Sequence, residues 1–334
     1  MTKIVVLSAG WGAALAVMAE RQGAQVTLWS PFEEEIQCIR RDGEQRNLLP
    51  GIAISPAICL TTDISVVADA DLVIMTSPSF AIVQTADLLR PHLRAGTPLV
   101  CASKGLDSGT HKRFSVILAE HLPQARIAVL SGPSHAEEVG RDEPTTVICA
   151  ATDVETAEYV QETLTSERFR IYVNTDIIGV ELGGALKNII ALAAGICHGM
   201  GMGDNVKAAL MTRGLAEMAR LGVAMGARAE TFAGLSGMGD LIVTCSSPHS
   251  RNRRAGVLIG QGISPDEAIR RVGTVEGYHA ALSGWELAQS VGVDMPITEQ
   301  CYRICYMGES PKNAIRSLLE RPHRHEPEPN WSLK

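Results

Sequence analysis

Two rhythms of apolar and polar positions divide the chain. In the first half, short β-rich runs recur at Ile4–Leu7, Val26–Trp29, Leu72–Met75, Leu99–Cys101, Ile127–Leu130 and Thr146–Cys149. Between them the apolar residues fall at helical spacing, as in Trp11–Gln22 with Leu15, Met18 and Ala19 on one side. Strands that are apolar throughout and separated by helices predict a parallel sheet covered on both faces, a doubly wound α/β domain. From about Ile178 the rhythm changes to long Ala-, Leu- and Met-rich stretches (181–200, 206–226, 278–291, 296–306, 312–320), with almost no strand signal. The pattern therefore predicts an α/β, Rossmann-like doubly wound sheet domain over 1–177 and an all-helical domain over 178–322. The polar, Pro-rich segment 323–334 reads as a flexible tail, since its His323 and His325 lack companion metal ligands.

Composition narrows the function classes. At 334 residues the chain is long enough for two cores, and only 4% of it is aromatic, so those cores rest on aliphatic and small residues. A net charge of −7 argues against a nucleic-acid or acidic-membrane binder, though it leaves room for a local basic pocket. The eight cysteines (38, 59, 101, 149, 197, 245, 301, 305) form no CxxC pair and read as buried reduced thiols in a reducing compartment. Met1 leads directly into the first strand, with no room for a signal peptide, and the most apolar later stretch, Ile189–Ile196, is too short to span a bilayer. A cytoplasmic protein without membrane insertion is expected.

Candidate chemistry lies at strand ends and in the helical half. Ser8-Ala9-Gly10-Trp11-Gly12 sits between the first strand and the first helix, where a glycine turn would present helix N–H groups to a pyrophosphate. It is one residue short of a G-x-G-x-x-G fingerprint and begins with Ser, so by itself it equally fits a plain strand-to-helix turn. At the end of the second strand, Trp29-Ser30-Pro31-Phe32 offers neither an acid for a ribose hydroxyl nor an Arg for a 2′-phosphate, which leaves NAD and NADP both open. Lys104 follows a buried strand. Ser131–Ala136 follows another and reads as a helix-starting turn with Ser134 as cap. Lys187 lies among small and apolar residues where desolvation makes an ammonium usable in proton transfer, although a helix Lys more commonly snorkels to solvent. Asp240 follows Gly237-Met238-Gly239. Ser250-Arg251-Asn252-Arg253-Arg254 concentrates donors suited to a phosphate, where the bland alternative is a solvated charged face.

Taken in order, Asn47–Gly51, Ser103-Lys104-Gly105, Leu130–Val139, Gly179–Asn188, Gly203–Asn205, Thr212–Met218, Gly234–Asp240, Ser250–Arg254, Glu276-Gly277 and Met295–Glu299 resemble the bacterial NAD(P)-dependent glycerol-3-phosphate dehydrogenase family, over about residues 3–320. The resemblance implies reversible hydride transfer between NADH or NADPH and dihydroxyacetone phosphate, supplying sn-glycerol 3-phosphate for glycerophospholipids, without a metal and in a homodimer. It implies Lys187 as general acid/base, with Lys104 and Asp240 as its catalytic companions. It implies substrate contacts from Lys104, Gly132, Ser134, Lys187, Asp240, Ser250, Arg251 and Asn252. Cofactor contacts are implied for Gly10, Trp11, Gly12, Lys104, Ala136, Arg251 and Glu276.

Three departures all touch the dinucleotide: the shortened turn at Ser8, Pro31 in place of a basic residue, and a Val272–Gly277 segment one residue short. They motivate an alternative, a non-catalytic relative that binds glycerol phosphate through an impaired dinucleotide turn. A different phosphorylated keto compound as substrate is a further alternative.

Overall fold

The computed structural model describes residues 1–323, 325 and 326; the rest of the expected tail lies outside the described residues. The chain forms two compact units, one from residues 1–103 and 114–177, the other from 104–113 and the described residues from Ile178 on. Segment 104–113, expected with the first domain, thus belongs to the second. The reason is apolar and ionic: Leu106 is buried in the helical core, and Arg113 pairs with Glu181.

The first unit is built on ten strands: β1 (Lys3–Leu7), β2 (Gln25–Trp29), β3 (Glu44–Gln45), β4 (Leu49–Ala53), β5 (Cys59–Thr61), β6 (Leu72–Met75), β7 (Pro98–Cys101), β8 (Arg126–Ser131), β9 (Thr145–Ala151) and β10 (Phe169–Asn174). Eight of them form one sheet in the order β5-β2-β1-β6-β7-β8-β9-β10, while β3 and β4 make a separate antiparallel pair. Helices α1 (Trp11–Arg21), α2 (Glu33–Asp42), α3 (Ile82–Leu89), α4 (Phe114–His121), α5 (Ala136–Gly140) and α6 (Val154–Leu164) connect the strands.

β6 and β7 are buried at every position, as sequences apolar on both faces require. Each fully buried Leu or Ile, such as Leu7, Leu72 and Ile74, contributes roughly 1.5–3 kcal/mol. The chain reverses direction across the sheet between β1 and β6, and α1 starts at that switch point. Open sheets receive their ligands there, beyond the carboxyl ends of the strands. The sheet is not parallel throughout, because β9 runs antiparallel to β8 with Leu130 opposite Cys149. Strand β10 escapes a reading based on apolar runs because it alternates: Phe169 and Ile171 are buried, while Arg170 and Tyr172 face outward.

The second unit is helical: α7 (Ile177–Gly199), α8 (Asp204–Ala224), α9 (Ala229–Phe232), a π-helical turn (Leu235–Gly239), α10 (Asp240–Ser246), α11 (Arg251–Gly260), α12 (Pro265–Val272), α13 (Glu276–Ser290), α14 (Pro296–Tyr306) and α15 (Pro311–Leu319). Residues 189–196 are only part of α7, whose 23 residues are long and apolar enough by length and composition to cross a membrane, contrary to the sequence expectation. In this fold 94% of its apolar window is buried, so it serves as the core helix.

α11 lies on α7 backbone to backbone. A Cβ on Gly256 would stand 2.1 Å from the Leu192 carbonyl oxygen, and one on Gly195 would stand 2.2 Å from that of Arg253. Gly199 and Gly260 repeat the contact one turn further along. This pairing fixes the start of α11, with Ser250–Asn252, against α7.

All eight cysteines are free thiols; six are buried, whereas Cys59 is exposed and Cys38 only half-buried.

Candidate active site

Lys187 sits in the middle of α7, with only 5% of its surface exposed. An isolated buried ammonium would be costly, so its partners decide its state. It donates to Oδ1 of Asp240 at 2.5 Å and to Oγ1 of Thr244 at 2.7 Å. Thr244 is one helical turn after Asp240 on α10, and its hydroxyl donates a hydrogen bond to the Asp240 carbonyl oxygen at 2.5 Å. The second carboxylate oxygen, Oδ2, accepts from Lys104 at 2.7 Å. One carboxylate thus holds two ammonium groups, within a single unit.

The electrostatics follow from this geometry. Burial lowers the Lys187 ammonium from 10.5 to about 8; the Asp240 charge opposes that shift, and the nearby Lys104 charge adds to it. For Asp240, burial works upward, but Lys104 and Lys187 outweigh it and leave the carboxyl below its ordinary value. The Cys245 thiol beside them is pushed up to about 12 by burial and stays neutral. Lys187 is therefore a cation near neutrality that can lose its proton and regain it.

The structure brings Lys104, Lys187 and Asp240 into one hydrogen-bonded cluster and fastens the start of α11 to Asn188, the neighbour of Lys187. Ser250 caps α11, its hydroxyl accepting from the Arg253 N–H at 3.2 Å. Arg251 is exposed and forms no hydrogen bond or ion pair among the described residues. Asn252 is buried and binds α7 to α13: its Nδ2 donates to Asn188 Oδ1 at 2.8 Å, and its Oδ1 accepts from the Gly277 N–H at 2.8 Å. Glu276, next to Gly277, opens α13. Thr244 and Asn188 were not singled out from the sequence. The signal for Thr244 is its helical spacing from Asp240; for Asn188 it is adjacency to Lys187.

The remaining expected residues belong to the first unit. Gly132 directly follows β8 at φ +120°, and Ser134 donates to its carbonyl oxygen at 2.9 Å. Ser134 is therefore not the helix cap expected; His135 occupies that position ahead of Ala136. At the end of β1, Ser8 takes φ +81°, the left-handed conformation a glycine would favour. Gly10 precedes α1, whose first turn carries neither a side-chain cap nor an acid. A Cβ on Gly12 would lie 2.6 Å from Thr76 Oγ1, so this position admits only glycine without rearrangement. Trp11, half-buried, packs on the core. Uncapped N–H groups on a tight turn at the switch point fit a pyrophosphate despite the missing residue. At the end of β2 an acid is present after all, supplied by α2: Glu35 accepts a hydrogen bond from Ser30 Oγ and another from Gln45 Nε2 at 2.6 Å.

Comparison with known proteins identifies the family. Residues 3–157 match the family described as NAD-dependent glycerol-3-phosphate dehydrogenase N-terminus, and residues 176–316 match its C-terminus. A protein of Moorella thermoacetica named glycerol-3-phosphate dehydrogenase [NAD(P)+] is 53% identical over 328 residues, covering 97% of this chain and 98% of the relative. One of the same name from Desulfitobacterium hafniense is 48% identical, covering 98% and 93%. A crystal structure of glycerol-3-phosphate dehydrogenase from Coxiella burnetii superimposes with a TM-score of 0.92 at 37% identity, covering 96% of this chain and 99% of that one. With both halves matched and relatives aligned end to end, the chain belongs to the NAD-dependent glycerol-3-phosphate dehydrogenase family.

Proposed function

We propose that this protein is an NAD(P)-dependent sn-glycerol-3-phosphate dehydrogenase that reduces dihydroxyacetone phosphate reversibly. The observation that carries the reading is the buried cluster in which Asp240 holds Lys187 and Lys104 by its two oxygens. The first unit is the dinucleotide half and the second, with segment 104–113, the substrate half. A bound reduced nicotinamide supplies the hydride for carbonyl C2.

In this reading, Lys187 donates a proton from Nζ to the C2 oxygen as negative charge develops there, and takes it back in oxidation. A pKa of about 8 lets the same amine serve both directions. The second cation, Lys104, stabilises the same oxygen. Asp240 orients both amines and keeps Lys187 charged, while the Thr244 hydroxyl accepts a hydrogen bond from Lys187 and fixes its direction. Ser250 and Arg251 receive the substrate phosphate at the start of α11, and Asn252 secures that start to α7. Gly132, Ser134, Ala136 and Glu276 are carried as ligand contacts on the resemblance. At the turn, Gly10, Trp11 and Gly12 present helix N–H groups to the cofactor pyrophosphate.

A cytoplasmic homodimer is proposed with this activity on the family resemblance, and light scattering of the pure protein tests the dimer. The decisive experiment follows oxidation of NADH and NADPH by purified protein with dihydroxyacetone phosphate. Turnover with either, lost in Lys187→Ala, supports the reading. A folded protein that binds neither dinucleotide and turns over neither overturns it.

A further inference from the structure

Segment 104–113 carries Lys104 yet has more anchorage than one ion pair needs. It is a hairpin: Leu106 and Arg113 are bridged, the Asp107 N–H donates to the Lys112 carbonyl at 3.0 Å, and the His111 N–H donates to that of Asp107 at 2.9 Å. At its tip, Asp107 Oδ2 accepts from both the N–H and the hydroxyl of Thr110 at 2.8 Å. Leu106 plugs into the helical core at 4% exposure.

Besides Lys104–Asp240, ion pairs from His111 and Arg113 fasten the hairpin. His111 reaches Glu286 at 2.8 Å, but that carboxylate is half-exposed and water weakens the pair. Arg113 reaches Glu181 at 2.5 Å with side chains only 14% and 5% exposed. Such a buried pair adds little net stability over an apolar contact of the same shape, but it fixes position. Its placement tells what is fixed. Glu181 lies on α7, the helix that bears Lys187, and Arg113 is bridged to Leu106, two positions from Lys104.

We infer that Arg113, through Glu181, is a positioning residue that locks the Lys104 hairpin in register with Lys187, so that both ammonium groups meet the one carboxylate. Leu106 anchors the hairpin without direction and the His111 pair is open to water; the guanidinium–carboxylate contact adds a buried, directional anchor on the helix that bears Lys187. The inference rests on the reading of Lys104 as a substrate-facing cation.

The test compares wild type, Arg113→Met, Arg113→Lys and the double variant Arg113→Met/Glu181→Met, which strands no buried charge. The first readout needs neither substrate nor cofactor: the rate of reductive methylation of Lys104, followed by peptide mass spectrometry. The second is kcat and KM for dihydroxyacetone phosphate across pH. The groups acting on Lys187 are Asp240, Thr244 and Cys245 on α10 and Lys104 on the hairpin. Of these, Lys104 alone lies on the hairpin that the variants loosen.

In the folded double variant, Lys104 is methylated severalfold faster, kcat falls by about 10- to 100-fold with a smaller change in KM, and the alkaline limb of kcat moves to higher pH, because Lys104 no longer repels the Lys187 ammonium. Arg113→Lys recovers part of kcat. Unchanged Lys104 labelling and an unmoved limb, with only a lower melting temperature, overturn the inference. If wild type reduces no dihydroxyacetone phosphate, the functional reading fails, and the labelling still decides the role of Arg113.

Discussion

Lys187 donates to Asp240 Oδ1 at 2.5 Å, where both residues are at least 95% buried, so the protonation of one cannot be set apart from the charge of the other. Burial alone would favour a neutral amine, and the carboxylate restores much of the ammonium character.

In the proposed mechanism the reduction of dihydroxyacetone phosphate draws its proton from Lys187. Its rate should therefore fall as pH rises through about 8, and the reverse oxidation should gain over the same range. Lys187→Met should lose about 10²- to 10⁴-fold in kcat. Asp240→Asn removes the charge that raises the amine, so any residual activity should show its alkaline limb at lower pH than wild type. Stopped-assay pH profiles in both directions check each outcome.

A second buried carboxylate should govern stability instead of catalysis. Glu217 on α8 is 1% exposed and accepts from the Ile297 and Thr298 N–H groups at the start of α14, at 2.7 and 3.2 Å. Burial raises its pKa from 4.5 to about 7, against the pull of those N–H groups. A carboxyl raised in the folded state contributes stability that is full below 4.5 and is lost as pH rises through 7. Glu217→Gln should abolish this slope, at a cost of about 1–3 kcal/mol for an N–H left facing an amide. Denaturant midpoints of both proteins between pH 4.5 and 8 measure it.

The contact between α7 and α11 leaves no room for a methyl group. Gly256→Ala would drive a carbon into the Leu192 carbonyl and should cost upward of about 1–3 kcal/mol. Because α11 begins with Ser250 and Arg251, the surviving folded protein should show a raised KM for dihydroxyacetone phosphate and a smaller change in KM for the dinucleotide. Thermal melts and two-substrate kinetics separate these effects.

Ser8 occupies a left-handed conformation that costs a side-chain residue about 1–2 kcal/mol. Ser8→Gly should relieve it, with part of the gain returned to the more flexible unfolded chain, for a net stabilisation of about 0.5–1 kcal/mol. A higher urea midpoint with undiminished NADH binding is the expected result.

Cofactor choice should follow the acids of α2. Glu33, Glu34 and Glu35 fill its first turn directly after β2, where they also suit the helix dipole. A 2′-phosphate brought to the end of β2 meets negative charge there, whereas a ribose hydroxyl meets acceptors. Calorimetry should show NADH binding at least about tenfold more tightly than NADPH, a difference of roughly 1.4 kcal/mol. Glu35→Gln should narrow the gap.

How much of this was legible follows from how each part is held together. β1, β6 and β7 are buried on both faces, and a run such as Leu72–Met75 declares that directly. The stretch 235–254 is rich in Gly, Ser and Arg and gives no apolar stripe. Its π-turn and α11 pack by backbone contact instead, so three helical elements went unread there. The helix over 181–200 is legible, but its apolar length is not, because Glu181, Lys187 and Asn188 interrupt the run, although each is buried with a partner. Lys187 stood out through its apolar flanks and Asp240 through its glycines. The pairing of Arg113 with Glu181 joins positions far apart in the chain, and no local pattern announces it.

The splice of 104–113 into the sequence of the other unit limits how this enzyme can be recombined. A fragment starting at Ile178 would contain Lys187 and Asp240 but lack Lys104, Leu106 and Arg113. Likewise, a chimera joined at residue 177 would graft onto these helices a hairpin that evolved against another relative's Glu181 and Asp240 equivalents. Inheritance of the two clustered lysines therefore does not follow the domain border, and exchanges between homologues must carry 104–113 with the helical half to keep the cluster matched.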